Sequence, residues 1–226
     1  MVGQISGKRG LIFLFIGMAA LSGCIIGPEN GTSVLRERIR NRIITSNLNH
    51  PALGATGHLV RWNTPIKVNT NNIARADAAI DRYGRLTNGL IYFTKTTDTP
   101  TNGIVFIEGG SRNADGSPGC GNVTNTPEPS VYVSYTFDNS YALNGLYYVH
   151  LGSTACGDAQ EGNYPSAIAE HELGHVLGIM SHFSGFTGNE GLRNSNMFAV
   201  IYNMYSNPIG SKAEDLNIEI VAVPSG

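Results

Sequence analysis

Residues 171–182 read His-Glu-Leu-Gly-His-Val-Leu-Gly-Ile-Met-Ser-His, and no other stretch restricts the fold and chemistry of this chain so tightly. At about 100° per residue of helix, His171, His175 and Gly178 share one face, while Leu173, Val176, Leu177 and Met180 cluster on the other. One face can then pack on a core while the other turns two imidazoles toward a cleft. Imidazoles four residues apart can share one zinc ion at Zn–N of about 2.0–2.1 Å, and a third protein ligand leaves the fourth position for water. Glu172 lies beside them, placed to take a proton from that water and pass it to a leaving amine. Gly178 can adopt φ > 0, ending the helix and turning the chain back, so His182 is the natural third ligand. The plain structural alternative is a pair of histidines satisfied by backbone carbonyls on a buried helix.

The rest of the chain sets the frame. Its 226 residues suit one sizeable core, and the −2 net charge provides no basic field for nucleic acid. Residues 24–57 read as a tether and lead-in, with a short helix over 34–44. Strands are expected at 59–68, 90–95, 104–107, 131–136 and 146–151, and a helix capped by Asn72 over 72–83. The stretch 108–130, rich in Gly, Pro and Asn, reads as a long surface loop. A helix follows at 165–180, then a short helix or turn at 197–205 and a last helix at 211–221, opened by a Ser211…Glu214 capping box. The order gives one α+β domain over 58–226, with an α/β-like sandwich of helices and sheet. His50, His58 and His150 are expected to be solvated or structural.

The N-terminus reads as an address. Lys8 and Arg9 precede the uncharged run Leu11 to Leu21, too short for a span of about 20 residues but suited to the core of a signal peptide. Leu21-Ser22-Gly23-Cys24 then resembles the lipobox of bacterial lipoproteins, which implies cleavage after residue 23 and acylation of Cys24. An ordinary secretory signal is the alternative. The lipoprotein reading implies export and a lipid anchor at the cell envelope, on the outer membrane or cell surface. Cys120 and Cys156 remain; in an exported protein they most simply form one disulfide, with free thiols as the alternative.

The segment 171–182 resembles the metzincin signature H-E-x-x-H-x-x-G-x-x-H, with one departure: Ser181 stands at the usual third-ligand position and His182 comes one residue late. Weaker likenesses to matrixin-type domains extend over 58–222. The resemblance implies a twisted, mostly parallel sheet with one antiparallel edge strand, here Val131 to Thr136, which binds an extended peptide, together with an active-site helix and a C-terminal helix. It further implies a zinc endopeptidase acting on peptides or proteins, with His171, His175 and His182 as ligands and Glu172 as base. A methionine turn beneath the metal falls on Met204, with Met197 second, and an oxyanion donor on Tyr205 or Tyr202. Asp115, Asp138 and Asp158 lie in loops of the kind that bind calcium in matrixins, without the spacing of a dedicated calcium loop. Pro118-Gly119-Cys120-Gly121 matches an inhibitory cysteine switch poorly. Two rival readings stand beside this one: a gluzincin with Glu190 as third ligand, and a catalytically silent, zinc-stabilised binding or adhesion lipoprotein.

Overall fold

The computed structural model describes residues 28–113, 115, 117–152, 167–187 and 190–224. The signal-like segment 1–23, Cys24, Cys156 and Asp158 lie outside them. Among the described residues, no helix is long and apolar enough to cross a membrane.

Runs of β-branched and aromatic residues form the sheet, whose strands are β1 (Ile66–Asn69), β2 (Phe93–Lys95), β3 (Gly103–Glu108), β4 (Gly121–Thr124) and, after a two-stranded ribbon of β5 (Thr136–Phe137) and β6 (Leu143–Asn144), β7 (Leu146–Leu151). The order is β2-β1-β3-β7-β4; the first four run parallel and β4 pairs antiparallel with β7. β3 and β7 pair in register from Gly103↔Leu146 to Glu108↔Leu151 and supply the buried centre, as parallel strands covered by helices require.

The antiparallel edge is therefore present, but on β4 and not on Val131 to Thr136. β4 arises inside the stretch expected to be a surface loop. Residues 131–135 run beside the cleft without a ladder, held by side chains: Asn125 bonds both backbone groups of Ser134, at 3.0 and 2.6 Å, and Asn122 Nδ2 donates to the Ser130 carbonyl.

Helices α1 (Pro28–Ile43), α2 (Ala74–Leu86), α3 (Ala167–Val176) and α4 (Ser195–Ser206) complete the domain; α2 packs on α3, α3 on β4 and β7, and α1 on α4. The cap of α2 is Ile73; the expected cap, Asn72, instead takes φ +56° in the turn before the helix, a conformation asparagine tolerates. The C-terminal helix expected over 211–221 is a single 3-10 turn, Ala213–Asp215, followed by extended chain. Two asparagines decide this, Asn203 in the last turn of α4 and Asn207 just past its end. Asn203 bonds the N–H and C=O of Glu219 at 2.7 and 2.9 Å, and Asn207 those of Asn217 at 2.8 Å each, capturing the backbone groups that a helix would need. Leu216 and Ile218 are buried beneath.

The lead-in also differs from a tether. After α1 come a π-helical turn, Ile44–Leu48, and a 3-10 turn, Pro51–Leu53, and Ile39, Ile43, Leu48 and Leu53 join the core. Asn47, wholly buried, donates through Nδ2 to the carbonyls of Val60 (2.7 Å) and Gly178 (2.8 Å) and accepts from Val60 N–H (2.9 Å). Asn47→Ala leaves these three backbone groups buried and unpaired, and should lower stability by about 3 kcal/mol, read as a lower urea midpoint at unchanged m-value.

Candidate metal centre

α3 ends as the sequence suggests. Gly178 takes φ +116°, its N–H bonds the His175 carbonyl (3.1 Å), and Ile179 N–H bonds the Gly174 carbonyl (3.0 Å), the paired bonds of a Schellman stop. A side chain at 178 would meet Val60 O at 2.9 Å and the Met204 methyl at 3.0 Å, so the turn needs glycine for space as well as for φ. Met180 N–H then bonds Ser46 O (2.8 Å), tying the returning chain to the lead-in. Met180, expected on the core face, is thereby carried past the helix end to the cleft wall.

This turn brings the three histidines together. His182 Nε2 lies 3.1 Å from His171 Nε2 and 3.2 Å from His175 Nε2. Nitrogens bound tetrahedrally at about 2.0–2.1 Å would be about 3.3–3.4 Å apart, so the spacing suits an ion such as zinc with little adjustment. The opposite edges of two rings are fixed: His171 Nδ1 donates to Glu190 O (3.2 Å) and His175 Nδ1 to Ile179 O (2.6 Å). Those bonds select the tautomer that leaves Nε2 free to ligate. Burial, joined by the neighbouring imidazoles, holds His171 at a pKa of about 3; burial chiefly holds His175 at about 4, so both are neutral and ligand-ready at neutral pH. The three donors are the one His/Cys/Asp/Glu group with metal-ligating geometry among the described residues.

A deeper layer sets these partners. Glu170, wholly buried, pairs with Arg82 Nε at 2.8 Å and accepts Leu192 N–H at 2.8 Å, fixing the loop whose residue 190 carbonyl holds His171. The wholly buried Phe186 ring stacks on His171 (centroids 4.3 Å apart, 19° between planes) and also meets the rings of His175 (4.9 Å) and His182 (5.7 Å). Neither Glu170 nor Phe186 was singled out by the motif; an acidic residue immediately before His171 was the one available sign.

Glu172 enters the same cleft, a space of about 550 Å³ also lined by Gly121, Val123, Tyr135 and Ile168. Burial alone raises its pKa to about 8; a cation in the site would act in the opposite direction. The edge strand lies flush on this carboxylate, since a side chain at Gly121 would come within 2.5 Å of Glu172 Oε1. Cys120, at the head of that strand, is disulfide-bonded; Cys156, its expected partner, lies outside the described residues.

Several other expectations are corrected, while His50, His58 and His150 take the structural places expected of them. Met204 sits on α4, not in a tight turn, though its methyl does lie under Gly178; Met197 is likewise helical, under Gly174. Tyr205 faces away from the cleft and donates to Leu177 O at 3.1 Å, while Tyr202 reaches toward Glu219, so neither serves the site. The Glu190 carboxylate is occupied by Thr187 N–H and Oγ1 (2.9 Å each) and Asn194 Nδ2 (3.0 Å); only its main-chain carbonyl touches a ligand. Asp115 and Asp138 close their own turns, through Ser117 and through Ser140 and Ala142. His50 caps the turn at 51–53, His58 stacks on Tyr141, and His150 is buried beside Thr124.

Comparison with protein-family models and with curated proteins finds no match to this chain. His182→Ala should abolish stoichiometric binding of zinc, measured by equilibrium dialysis, while the far-ultraviolet circular dichroism stays that of the unaltered chain.

Proposed function

We propose that the protein is a zinc-dependent endopeptidase of metzincin type, with His171, His175 and His182 as ligands and Glu172 as general base. The observation that carries this reading is the convergence of three imidazole nitrogens at 3.1–3.2 Å around His182 Nε2, in one cleft with a buried carboxylate. Zinc held there supplies Lewis-acid chemistry, acidifying water and polarising a carbonyl. The remaining work belongs to the chain. Glu172 takes the proton of the attacking water and returns it to the departing amine, so the carboxylate is unchanged over a cycle. The apolar wall, including Val123, Val133 and Ile168, excludes bulk water and seats the side chains of an extended peptide. A gluzincin arrangement is disfavoured by the engaged Glu190 carboxylate. A silent binding protein has no use for a carboxylate buried in the cleft against the edge strand.

Export and a lipid anchor at Cys24 belong to the same proposal. Lys8, Arg9, the apolar run and the Leu21-Ser22-Gly23-Cys24 box support it, as does a disulfide at Cys120, which suits an oxidising compartment. Several acyl chains would hold the enzyme stably at a membrane surface.

Two results test the proposal. Glu172→Gln should lower kcat on a peptide library about a thousandfold while zinc content is retained; unchanged turnover would sink the reading. Cys24→Ala should abolish metabolic labelling by fatty acid in a bacterial host and move the protein from the membrane to the soluble exported fraction.

A further inference from the structure

With Tyr205 and Tyr202 both engaged elsewhere, one phenol lines the cleft among the described residues. Tyr135 lies on the segment 131–135, where alternate residues Val131, Val133 and Tyr135 line the cleft while Tyr132 points outward and is 82% exposed. The Tyr135 hydroxyl makes no hydrogen bond with any described residue, unlike those of Tyr83, Tyr147 and Tyr205. It is also near enough to Glu172 for that carboxylate to act on it electrostatically. A donor left open at the mouth of a cleft, beside the catalytic carboxylate, is a donor for something the cleft binds.

Its ring is held with unusual firmness for a residue outside regular structure. Tyr135 stacks on Tyr147 (centroids 5.4 Å apart, 23° between planes), and the Tyr147 hydroxyl accepts the Thr136 N–H at 2.9 Å, clamping the backbone next to Tyr135. Tyr147 in turn meets Trp62 edge-on at 5.8 Å, and Trp62 Nε1 donates to Val176 O at 2.8 Å. An unbroken series of contacts thus runs from α3, which carries the base and two of the ligands, to this phenol. Fixed donors outperform mobile ones because no reorganisation is needed when charge develops.

Building on the peptidase reading, we propose that Tyr135 is a catalytic residue whose hydroxyl donates a hydrogen bond to the scissile carbonyl oxygen as that oxygen becomes negative. The proton stays on the phenol throughout; the bond strengthens as charge accumulates and relaxes when the carbonyl reforms. Burial, then the neighbouring Tyr147 and Glu172, hold the phenol well above the usual tyrosine range, which suits a permanent donor rather than a base.

The test is Tyr135→Phe in the zinc-loaded, full chain, with Tyr132→Phe as the control from the same segment. Phenylalanine keeps the stack on Tyr147, so the melting temperature and zinc content should match the unaltered protein. We expect kcat to fall about a hundredfold with KM changed less than threefold, and binding of a phosphinic pseudopeptide, measured by calorimetry, to weaken at least tenfold. Tyr132→Phe should change neither. A kcat within threefold of the unaltered enzyme overturns the assignment, as does a loss confined to KM or one that follows loss of zinc. Should Tyr135→Phe lower the melting temperature, Tyr135→Met and Tyr135→Leu, which carry no side-chain O–H or N–H, separate packing from donation: restored stability without restored kcat supports the donor, and restored kcat overturns it. If the zinc-loaded unaltered chain turns over no peptide at all, the peptidase reading fails, an outcome distinct from an active enzyme indifferent to Tyr135.

Discussion

The site depends on one change of direction in the backbone. A helix can bring His171 and His175 to one side, but a third imidazole on the next turn of the same helix would lie too far along the axis. The chain has to stop and double back, and Gly178 is where it does so, at φ +116° with no room for a side chain. Its carbonyl is taken by Asn47 and the returning strand by the Ser46 carbonyl, so the turn is locked from outside the helix that it ends. Positive φ alone would permit several paths; the buried asparagine selects the one on which the three rings meet. The late arrival of His182, after Ser181, is absorbed in this loop.

Much of this was readable before any coordinates, and for identifiable reasons. The ligand spacing on α3 follows from helical geometry, and the stop at Gly178 from the stereochemistry of glycine. β3 and β7 are dense in apolar residues and stood out by composition. What escaped notice depended on partners distant in sequence. β4 reads as loop because Gly121-Asn122-Val123-Thr124 has little strand character of its own; it becomes an edge by pairing with β7. The Ser211…Glu214 pattern is a sound capping box, yet Asn203 and Asn207 offer the backbone a better bargain from another helix. The lead-in lacks a long apolar run, so nothing local announces that Asn47 holds the turn at Gly178.

The electrostatic design is divided by element. α3 carries His171, His175 and Glu172, while other parts of the chain set them: the Glu190 and Ile179 carbonyls orient two rings, Glu170 with Arg82 fixes the loop behind one of them, and β4 covers the carboxylate. Each supporting contact is made by a residue too ordinary to be noticed alone. A motif of twelve residues therefore supplies the converging donors, while their setting is distributed over most of the domain.

Phe186 carries a consequence of its own. One buried aromatic ring stacks on His171 and meets His175 and His182 edge-on, so packing alone brings the three imidazoles together. Zinc fingers gather their donors only when the ion arrives; here the three rings are packed together by the chain itself, so an ion taken up at this site would find its donors already assembled. An ion bound there would come and go as a bit does in a tool, with the handle unchanged.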